Sequence, residues 1–246
     1  LDKAGFVNLY AVKFKKTTLK PFVTVLMTAY NAEKYIAEAI GSILSQTYKN
    51  FELIIVNDSS IDGTLAVINK FAMRDRRIKI LNLKRNLGPS LAANKGLRKV
   101  KGDYLFRMDA DDISEGTRLE KQIEFLQNNP DVSMLGGQCK LIDKEGGLIG
   151  EKRFPTDDNS IFSSLFIRNP IQHPSCVINL KNLTSYAMLH DGNSVLAHDL
   201  ELVFLASQKG RLANLGDNIL KYRQYTGSFS LTSPKKTFFA TLAVRI

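Results

Sequence analysis

Residues 22–64 read FVTVLMTAYNAEKYIAEAIGSILSQTYKNFELIIVNDSSIDGT, and this stretch decides the fold. Two apolar, β-branched runs, residues 22–27 and 51–56, have the composition of buried strands. Between them, residues 32–46 place their apolar side chains at helical spacing on one face. A strand, a helix and a second strand in this order predict a right-handed crossover between two parallel strands.

The same alternation continues as far as Pro130. Residues 78–83 and 104–108 are two more apolar runs that we predict to be strands. Further helices are predicted in three places: after Asp62, which can cap the first of them; over residues 90–100; and from the capping-box pattern Thr117-Arg-Leu-Glu120 up to Pro130. Strands that alternate with helices indicate an α/β fold with a parallel, doubly wound sheet.

Beyond Pro130 the pattern changes to short strands and fewer helices. The predicted strands are residues 132–135, 140–143, a short one after the turn at Glu145-Gly-Gly, and 220–225. Asp157 and Asp158 can open a helix, and a long helical segment over residues 193–209 ends at Gly210.

We expect one domain, residues 21–230, with a nucleotide-sugar-binding half (21–128) and an acceptor half (129–230). Residues 1–20 are interpreted as an appendage and residues 231–246 as a tail that can form a short amphipathic helix.

Composition is that of a globular protein with an excess of basic residues. Hydrophobic residues make up 44% and charged residues 24%, which excludes a disordered chain. No apolar run approaches the roughly 20 residues that span a bilayer, and no secretory signal pattern opens the sequence. The formal net charge of +10 favours anionic partners, but no aromatic–basic motif indicates nucleic acid. Cys139 and Cys176 are too few for a zinc site or a disulfide framework, so we expect reduced, cytoplasmic thiols.

Residues 104–112, YLFRMDADD, end an apolar run in three carboxylates, those of Asp109, Asp111 and Asp112. Like charges this close together are tolerated only if a cation lies among them. Mg²⁺ or Mn²⁺ suits the cluster, because hard divalent ions prefer oxygen ligands and commonly share them with a diphosphate. The alternative, an acidic turn that caps the next helix, explains Asp112 easily but the three acids together poorly.

Polar residues follow each of the four predicted strands, at the edge where parallel sheets bind ligands. They are Thr28-Ala29-Tyr30-Asn31 with Glu33, then residues 57–64, then Arg85-Asn86-Leu87-Gly88, and finally the Asp109 cluster. Tyr30 can lie against a base, Asp58 can accept a hydrogen bond from a base N–H, and Arg85 can hold phosphate oxygens. No G-x-G-x-x-G or Walker A loop is present, which disfavours dinucleotide binding and ATP hydrolysis. Glycoside hydrolysis by paired carboxylates remains an alternative, although the crowding of the acids fits a shared metal better.

A catalytic base is expected far along the chain, in the segment LAHDLEL, residues 196–202. Acids in the first turn of a helix gain from the helix dipole, and this alone would explain them. Asp199 could instead face the cleft and take a proton from a hydroxyl acceptor. His173 can line the same pocket or serve a structural role.

Residues 24–64, residues 86–112 (NLGPSLAANKGLRKVKGDYLFRMDADD) and the segment HDLEL closely resemble the family 2 glycosyltransferases. The order of first-strand loop, VNDSS-x-DGT and DADD is highly specific. The resemblance implies a GT-A fold: α/β, with a Rossmann-like, mostly parallel sheet, flanking helices and a smaller antiparallel element on the acceptor side. It also implies an inverting enzyme that uses a sugar nucleotide.

The resemblance implies a role for individual residues. The loop Thr28 to Tyr30 and Asp58 hold the nucleotide, usually UDP, while Asp109 and Asp111 form the DxD motif that binds ribose and the metal–diphosphate, with Asp112 as a further candidate ligand. Asp199 activates the acceptor. His198 stands where the family commonly has Glu, and residues 187–197 also depart from the usual pattern, which leaves the acceptor class open.

The expected function is transfer of one sugar, most simply from a UDP-sugar, to a hydroxyl of a glycan or lipid-linked glycan in bacterial surface-polysaccharide synthesis. The expected location is the cytoplasm, and the basic balance and the tail are compatible with peripheral contact at the inner face of the cell membrane. Two alternatives stay open at this point. One is a nucleotidyltransferase that makes sugar nucleotides, although it would normally carry a Gly-rich loop after the first strand. The other is a non-catalytic glycan-binding relative.

Overall fold

One mixed sheet runs through the part of the chain described by this computed structural model, residues 20–182 and 198–225. Its strands are β1 Val23–Ala29, β2 Phe51–Asn57, β3 Ile78–Asn82, β4 Tyr104–Asp109, β5 Ile113–Ser114, β6 Val132–Ile142, β7 Leu148–Lys152, β8 Val177–Asn179 and β9 Arg211–Arg223. The helices are α1 Ile36–Leu44, α2 Thr64–Ala72, α3 Pro89–Leu97, α4 Arg118–Asn128, α5 Asp158–Ser164 and α6 His198–Ser207, with a 3₁₀ turn at His173–Ser175. The strand order is β3-β2-β1-β4-β8-β6-β9-β5, and β7 pairs with β6.

Strands β1 to β4 form the parallel half of the sheet, because β1 pairs in parallel with both β2 and β4 while β3 adds to β2. Almost every residue of β1, β2 and β4 is buried, as expected for strands covered by helices on both faces. One face packs against α1 and α4. The opposite face packs against α3 and α6.

The second half of the sheet is mostly antiparallel. Strand β8 pairs antiparallel with β4 and with β6, β7 pairs antiparallel with β6, and β9 runs parallel to β6. The chain therefore forms an α/β fold whose mostly parallel sheet continues into a smaller antiparallel element. This is the fold class that the sequence predicts.

The first four predicted strands are confirmed to within two residues at each end. Strand boundaries in the second half were predicted less well. Residues 132–135 and 140–143 belong to one strand, β6, and the last strand begins at residue 211 rather than 220. The gap left between these two predicted strands, residues 136–139, is wrong, because β6 runs through it. Gly136 and Gly137 in this stretch allow close packing: an added Cβ would lie 2.2 Å from Asn214 Oδ1 or 2.5 Å from Ile219 Cδ1.

Of the predicted caps at the starts of α5 and α4, the first is confirmed and the second is wrong. Asp157 caps α5, since its carboxylate accepts a hydrogen bond from the Ser160 N–H at 2.9 Å. The capping box at α4 is wrong: Thr117 makes no side-chain cap bond, and Glu120 instead accepts a hydrogen bond from the Thr47 hydroxyl at 2.7 Å.

Several predicted segments lie wholly or mainly outside the described residues. These are the appendage (of which only Lys20 is described), the tail and residues 193–197 of the long helical segment. Among the residues that are described, no helix has the length and apolar character needed to cross a membrane.

Two glycines should respond in opposite ways to replacement by alanine. A Cβ at Gly102 would lie 2.6 Å from the Thr24 backbone nitrogen, so Gly102→Ala should lower the free energy of unfolding by about 3 kcal/mol. Gly41, inside α1, has open space around it, and Gly41→Ala should raise this free energy by about 0.5–1 kcal/mol. Urea unfolding measures both, and a Gly102→Ala variant as stable as the parent would contradict the packing described here.

Candidate active site

The carboxyl ends of β1, β2, β3 and β4 lie side by side at one edge of the sheet. Thr28 is the register partner of Asp109, and Asn57 is the partner of both Ala29 and Asn82. The four polar segments singled out in the sequence therefore meet along one edge, where open α/β sheets bind ligands.

The loops after β1 and β2 are fastened to each other. The Asn31 side-chain oxygen accepts a hydrogen bond from the Ile61 N–H at 3.0 Å, and the Ser60 hydroxyl accepts one from the Asn31 N–H at 3.1 Å. The Glu33 carboxylate accepts the Gly63 N–H at 2.9 Å. Glu33, predicted to bind the nucleotide sugar, thus also holds the second loop in place.

The residues next to these loops differ in exposure. Ala29 is buried and Thr28 is half-buried, while the Tyr30 side chain is 49% exposed and free to lie against a planar ligand. Asp62 accepts hydrogen bonds from the N–H and the hydroxyl of Thr64 at the start of α2. Asp62 lies one residue before the N-cap of α2, Gly63, so it supports the start of this helix without being the N-cap that the sequence suggests.

Asp58 is almost fully buried and holds the loop that follows β3. Its two carboxylate oxygens accept hydrogen bonds from the N–H groups of Leu87 and Gly88, each at 2.8 Å. Gly88 has φ +81°, a conformation that favours glycine. Arg85, in the same loop, is exposed at the surface. A carboxylate has about four lone-pair sites, so Asp58 keeps acceptor capacity for a base N–H.

The acidic cluster occupies the end of β4. Asp109 is half-buried, and the Asp111 carboxylate accepts a hydrogen bond from the Tyr225 hydroxyl at 3.0 Å. Asp112 is buried; one of its oxygens accepts the Arg223 N–H at 2.8 Å, while the other has no partner. Burial raises the pKa of Asp111, and burial together with the charges of Asp111 and Asp109 raises the pKa of Asp112 well above its usual value.

Arg118 lies close enough to this cluster to interact with it electrostatically, and no sequence signal marks it beyond its place in a capping-box pattern. The side chain is 1% exposed, and its guanidinium donates to the main-chain oxygens of Arg107 at 2.9 Å and Cys176 at 3.3 Å, and to the Gln122 side chain at 3.1 Å. Burial lowers the pKa of Arg118 to about 10, and the nearby Asp112 and Asp109 are among the charges that oppose this effect. Arg118 is thus a buried cation within electrostatic reach of Asp112 and Asp109.

The acidic cluster suits a divalent metal for which the protein would supply only some of the ligands. Within residues 20–182 and 198–225, no group of three or more His, Cys, Asp or Glu side chains could enclose a metal ion. Asp109 and Asp111 would supply carboxylate oxygens, leaving other positions for a diphosphate and water. The unpartnered oxygen of Asp112 and the raised pKa values show that the protein alone does not neutralise these acids. Asp112 is bonded to the main chain of β9, so it suits the role of ligand less well than the other two.

Asp199 and His173 lie together, although 26 residues separate them in the sequence. Nδ1 of the buried His173 is 3.1 Å from Oδ1 of Asp199, whose side chain is 41% exposed. The side chain of His198 lies outside the described residues, so its acceptor-side role stays a prediction.

Helix α6 places Asp199 over the same face of the sheet as Asp109. Its buried Leu200 and Val203 belong to the same apolar cluster as Leu105 of β4, and strand alternation puts Asp109 on the face of Leu105. Burial raises the pKa of the Cys176 thiol to about 12, and the charges of Asp199 and Asp109 add to this rise. Both carboxylates therefore lie within electrostatic reach of the same buried thiol.

The fold and the site together define a class: an α/β protein of the GT-A type, with polar loops along the carboxyl edge of the sheet and an acidic motif at the end of β4. The family model described as Glycosyl transferase family 2 matches residues 24–184, well over half of the chain. The chain belongs to this family.

Curated relatives agree with this assignment. An uncharacterized glycosyltransferase of Haemophilus influenzae is 35% identical over 82% of this chain and 65% of its own length. The O-antigen biosynthesis glycosyltransferase WbnJ of Escherichia coli is 32% identical over 84% of this chain and 81% of its own length. The chain spans 49–65% of the length of the first three curated relatives it matches.

Solved structures show the same fold at low sequence identity. S. aureus TarS 1–349 in complex with UDP aligns with a TM-score of 0.69 and 20% identity, covering 91% of this chain and 64% of the other. The mannosyltransferase PcManGT from Pyrobaculum calidifontis, in complex with GDP-Man and Mn²⁺, aligns with a TM-score of 0.68 and 17% identity, covering 93% and 64%. These matches confirm the GT-A fold.

Replacing Arg118 by methionine tests whether this cation stabilises the acidic cluster. Arg118→Met should lower the free energy of unfolding by about 3 kcal/mol, because the buried main-chain oxygens of Arg107 and Cys176 each lose one hydrogen bond and the acids lose a nearby positive charge. Arg211→Met removes an exposed ion pair with Asp131, which solvent screens, so its cost should be much smaller than that of Arg118→Met. Equal losses for the two variants in urea unfolding would refute this role.

Proposed function

We propose that this protein transfers one sugar, with inversion, from a UDP-sugar to a hydroxyl group of a glycan or lipid-linked glycan. The observation that carries the proposal is the placement of Asp199 on the face of the sheet where Asp109 ends β4, beside the loops suited to a nucleotide. Membership of glycosyl transferase family 2 supports transfer over sugar-nucleotide synthesis. The retained acids argue against a glycan-binding relative without activity.

The nucleotide would bind across the edge formed by β1, β2 and β3. The exposed ring of Tyr30 would lie against the base, Asp58 would accept a base N–H, and Arg85 would reach phosphate oxygens. Thr28, Ala29 and Glu33 shape the loop that receives the nucleotide. The TarS complex with UDP supports a uridine nucleotide as the donor.

Asp109 and Asp111 would hold Mg²⁺ or Mn²⁺ together with the donor diphosphate. When bound, the cation supplies Lewis-acid stabilisation of the charge that develops on the leaving diphosphate. Arg118 lies behind the same acids and limits their mutual repulsion. The Mn²⁺ present in the PcManGT complex supports this assignment.

Asp199 would act as the base on the acceptor side. Its carboxylate takes the proton of the acceptor hydroxyl while that oxygen attacks the anomeric carbon, opposite the departing diphosphate. His173 touches the carboxylate from the buried side, at 3.1 Å, and so fixes its orientation. The partly exposed side chain of Asp199 leaves it accessible to an acceptor.

The biological setting we propose is synthesis of a bacterial cell-surface polysaccharide. WbnJ, 32% identical over most of both chains, is described as an O-antigen biosynthesis enzyme. The net charge of +10 is compatible with a cytoplasmic enzyme that contacts the anionic inner face of the cell membrane to reach a lipid-linked acceptor.

Asp199→Asn tests the proposed base. Transfer should fall at least a hundredfold, because the amide cannot take the proton, while the affinity for UDP should change less than twofold. Asp131→Asn makes the same chemical change on an exposed acid and should leave transfer intact. Initial rates with a UDP-sugar and titration with UDP measure both properties. Normal turnover by Asp199→Asn would show that another group is the base.

A panel of UDP-, GDP- and dTDP-sugars tests the proposed donor. A UDP-sugar with Mn²⁺ should raise the melting temperature by several degrees, because a ligand that binds only the native state stabilises it. The rise should be much smaller without Mn²⁺ and in an Asp109→Asn variant. A larger rise with GDP- or dTDP-sugars would exclude UDP as the preferred nucleotide.

A further inference from the structure

Four side chains link the acidic cluster to the start of α1 and the end of β9. We call Tyr35, Glu38, Arg223 and Tyr225 the C-terminal clasp. None of the four stood out in the sequence, where they are separated by up to 190 positions. In the fold they surround the main chain and the carboxylate of Asp111.

Arg223 is the fixed centre of the clasp. Its guanidinium donates to Glu38 at 2.7 Å, to the Asp111 main-chain oxygen at 2.8 Å and to the Asp143 main-chain oxygen at 3.0 Å, and it lies over the Tyr35 ring at 4.5 Å. Its backbone N–H donates to Asp112. Arg223 therefore anchors the end of β9 to the acidic loop without help from Tyr225.

Tyr225 adds a contact of a different kind. Its ring packs against Tyr35 with 5.4 Å between centroids, and its hydroxyl donates to Oδ2 of Asp111 at 3.0 Å. The hydroxyl thus acts on the carboxylate itself, whereas Arg223 holds the main chain of Asp111. Tyr225 therefore has a different role from Arg223: it contacts the Asp111 side chain, and Arg223 holds the loop backbone.

We propose that Tyr225 is a positioning residue for Asp111, whose carboxylate it holds in one orientation for the metal–diphosphate part of the donor. This inference rests on the proposed function, since it assigns Asp111 to that part of the donor. A hydrogen bond to one oxygen of a ligating carboxylate restricts its rotation and leaves the other oxygen available. Such supporting bonds commonly change metal affinity by 10–100-fold when removed.

Tyr225→Phe removes the hydroxyl and keeps the ring on Tyr35, so the fold should be retained. UDP binding is titrated by calorimetry with and without Mn²⁺. In the parent protein Mn²⁺ should tighten UDP binding. In Tyr225→Phe the affinity for UDP alone should be unchanged. The factor by which Mn²⁺ raises the UDP affinity should be about tenfold smaller than in the parent.

Tyr222→Phe is the matched control, at a tyrosine of β9 three positions before Tyr225. Its ring lies near Lys152 rather than in the clasp, so the variant should keep the full effect of Mn²⁺. Melting temperatures of the three proteins, measured without ligand, show whether the hydroxyl matters for the fold itself.

The outcomes separate this inference from the proposed function. Suppose that Mn²⁺ raises the UDP affinity of the parent, and that it raises the UDP affinity of Tyr225→Phe as much or more. Tyr225 then does not position Asp111, while the proposed function stands. If the parent shows no effect of Mn²⁺, the metal–diphosphate assignment fails and the inference fails with it. A Tyr225→Phe protein that does not fold would also overturn the inference, because the hydroxyl would then be structural.

Discussion

Electrostatic repulsion within the acidic loop after β4 is the constraint on which the rest of the site depends. Three carboxylates lie within four residues, one of them fully buried, and burial together with mutual repulsion raises the pKa of Asp112. The protein opposes this repulsion from inside with Arg118 and fastens the loop from the side with Arg223. Such a loop is well suited to a cationic ligand, because a bound cation reduces the repulsion among the carboxylates.

This constraint explains why the two halves of the sheet must be joined. Asp109 ends β4 in the parallel half and Asp111 and Asp112 follow it, but the hydrogen bonds that hold these two acids come from Arg223 of β9 and from Tyr225 just beyond it. Strand β9 reaches them because it runs beside β6 and pairs with the short strand β5, which directly follows the acids. The pairing of β4 with β8 likewise brings His173 towards α6 and Asp199.

Much of the parallel half could be predicted from the sequence, because it rests on local signals. Continuous apolar runs mark strands buried on both faces, and the polar segments after them are contiguous in the chain. The second half was harder because its signals are not local. The predicted strands 132–135 and 140–143 are one strand, and Gly136 and Gly137 between them are small so that Asn214 and Ile219 can pack against them. Glu120 resembled half of a capping box, yet its partner is Thr47.

The sequence alone was sufficient for the family and for most of the strands and helices up to Pro130, because these signals lie at neighbouring positions. From the same kind of signal it predicts the residues suited to nucleotide and metal. Only the tertiary structure decided which groups support them. Arg118, Arg223 and Tyr225 have ordinary sequence surroundings, and Asp58 proved to hold the loop after β3 through two main-chain N–H groups. Their roles depend on burial and on contacts across many residues, which arise only when separate strands and helices pack together.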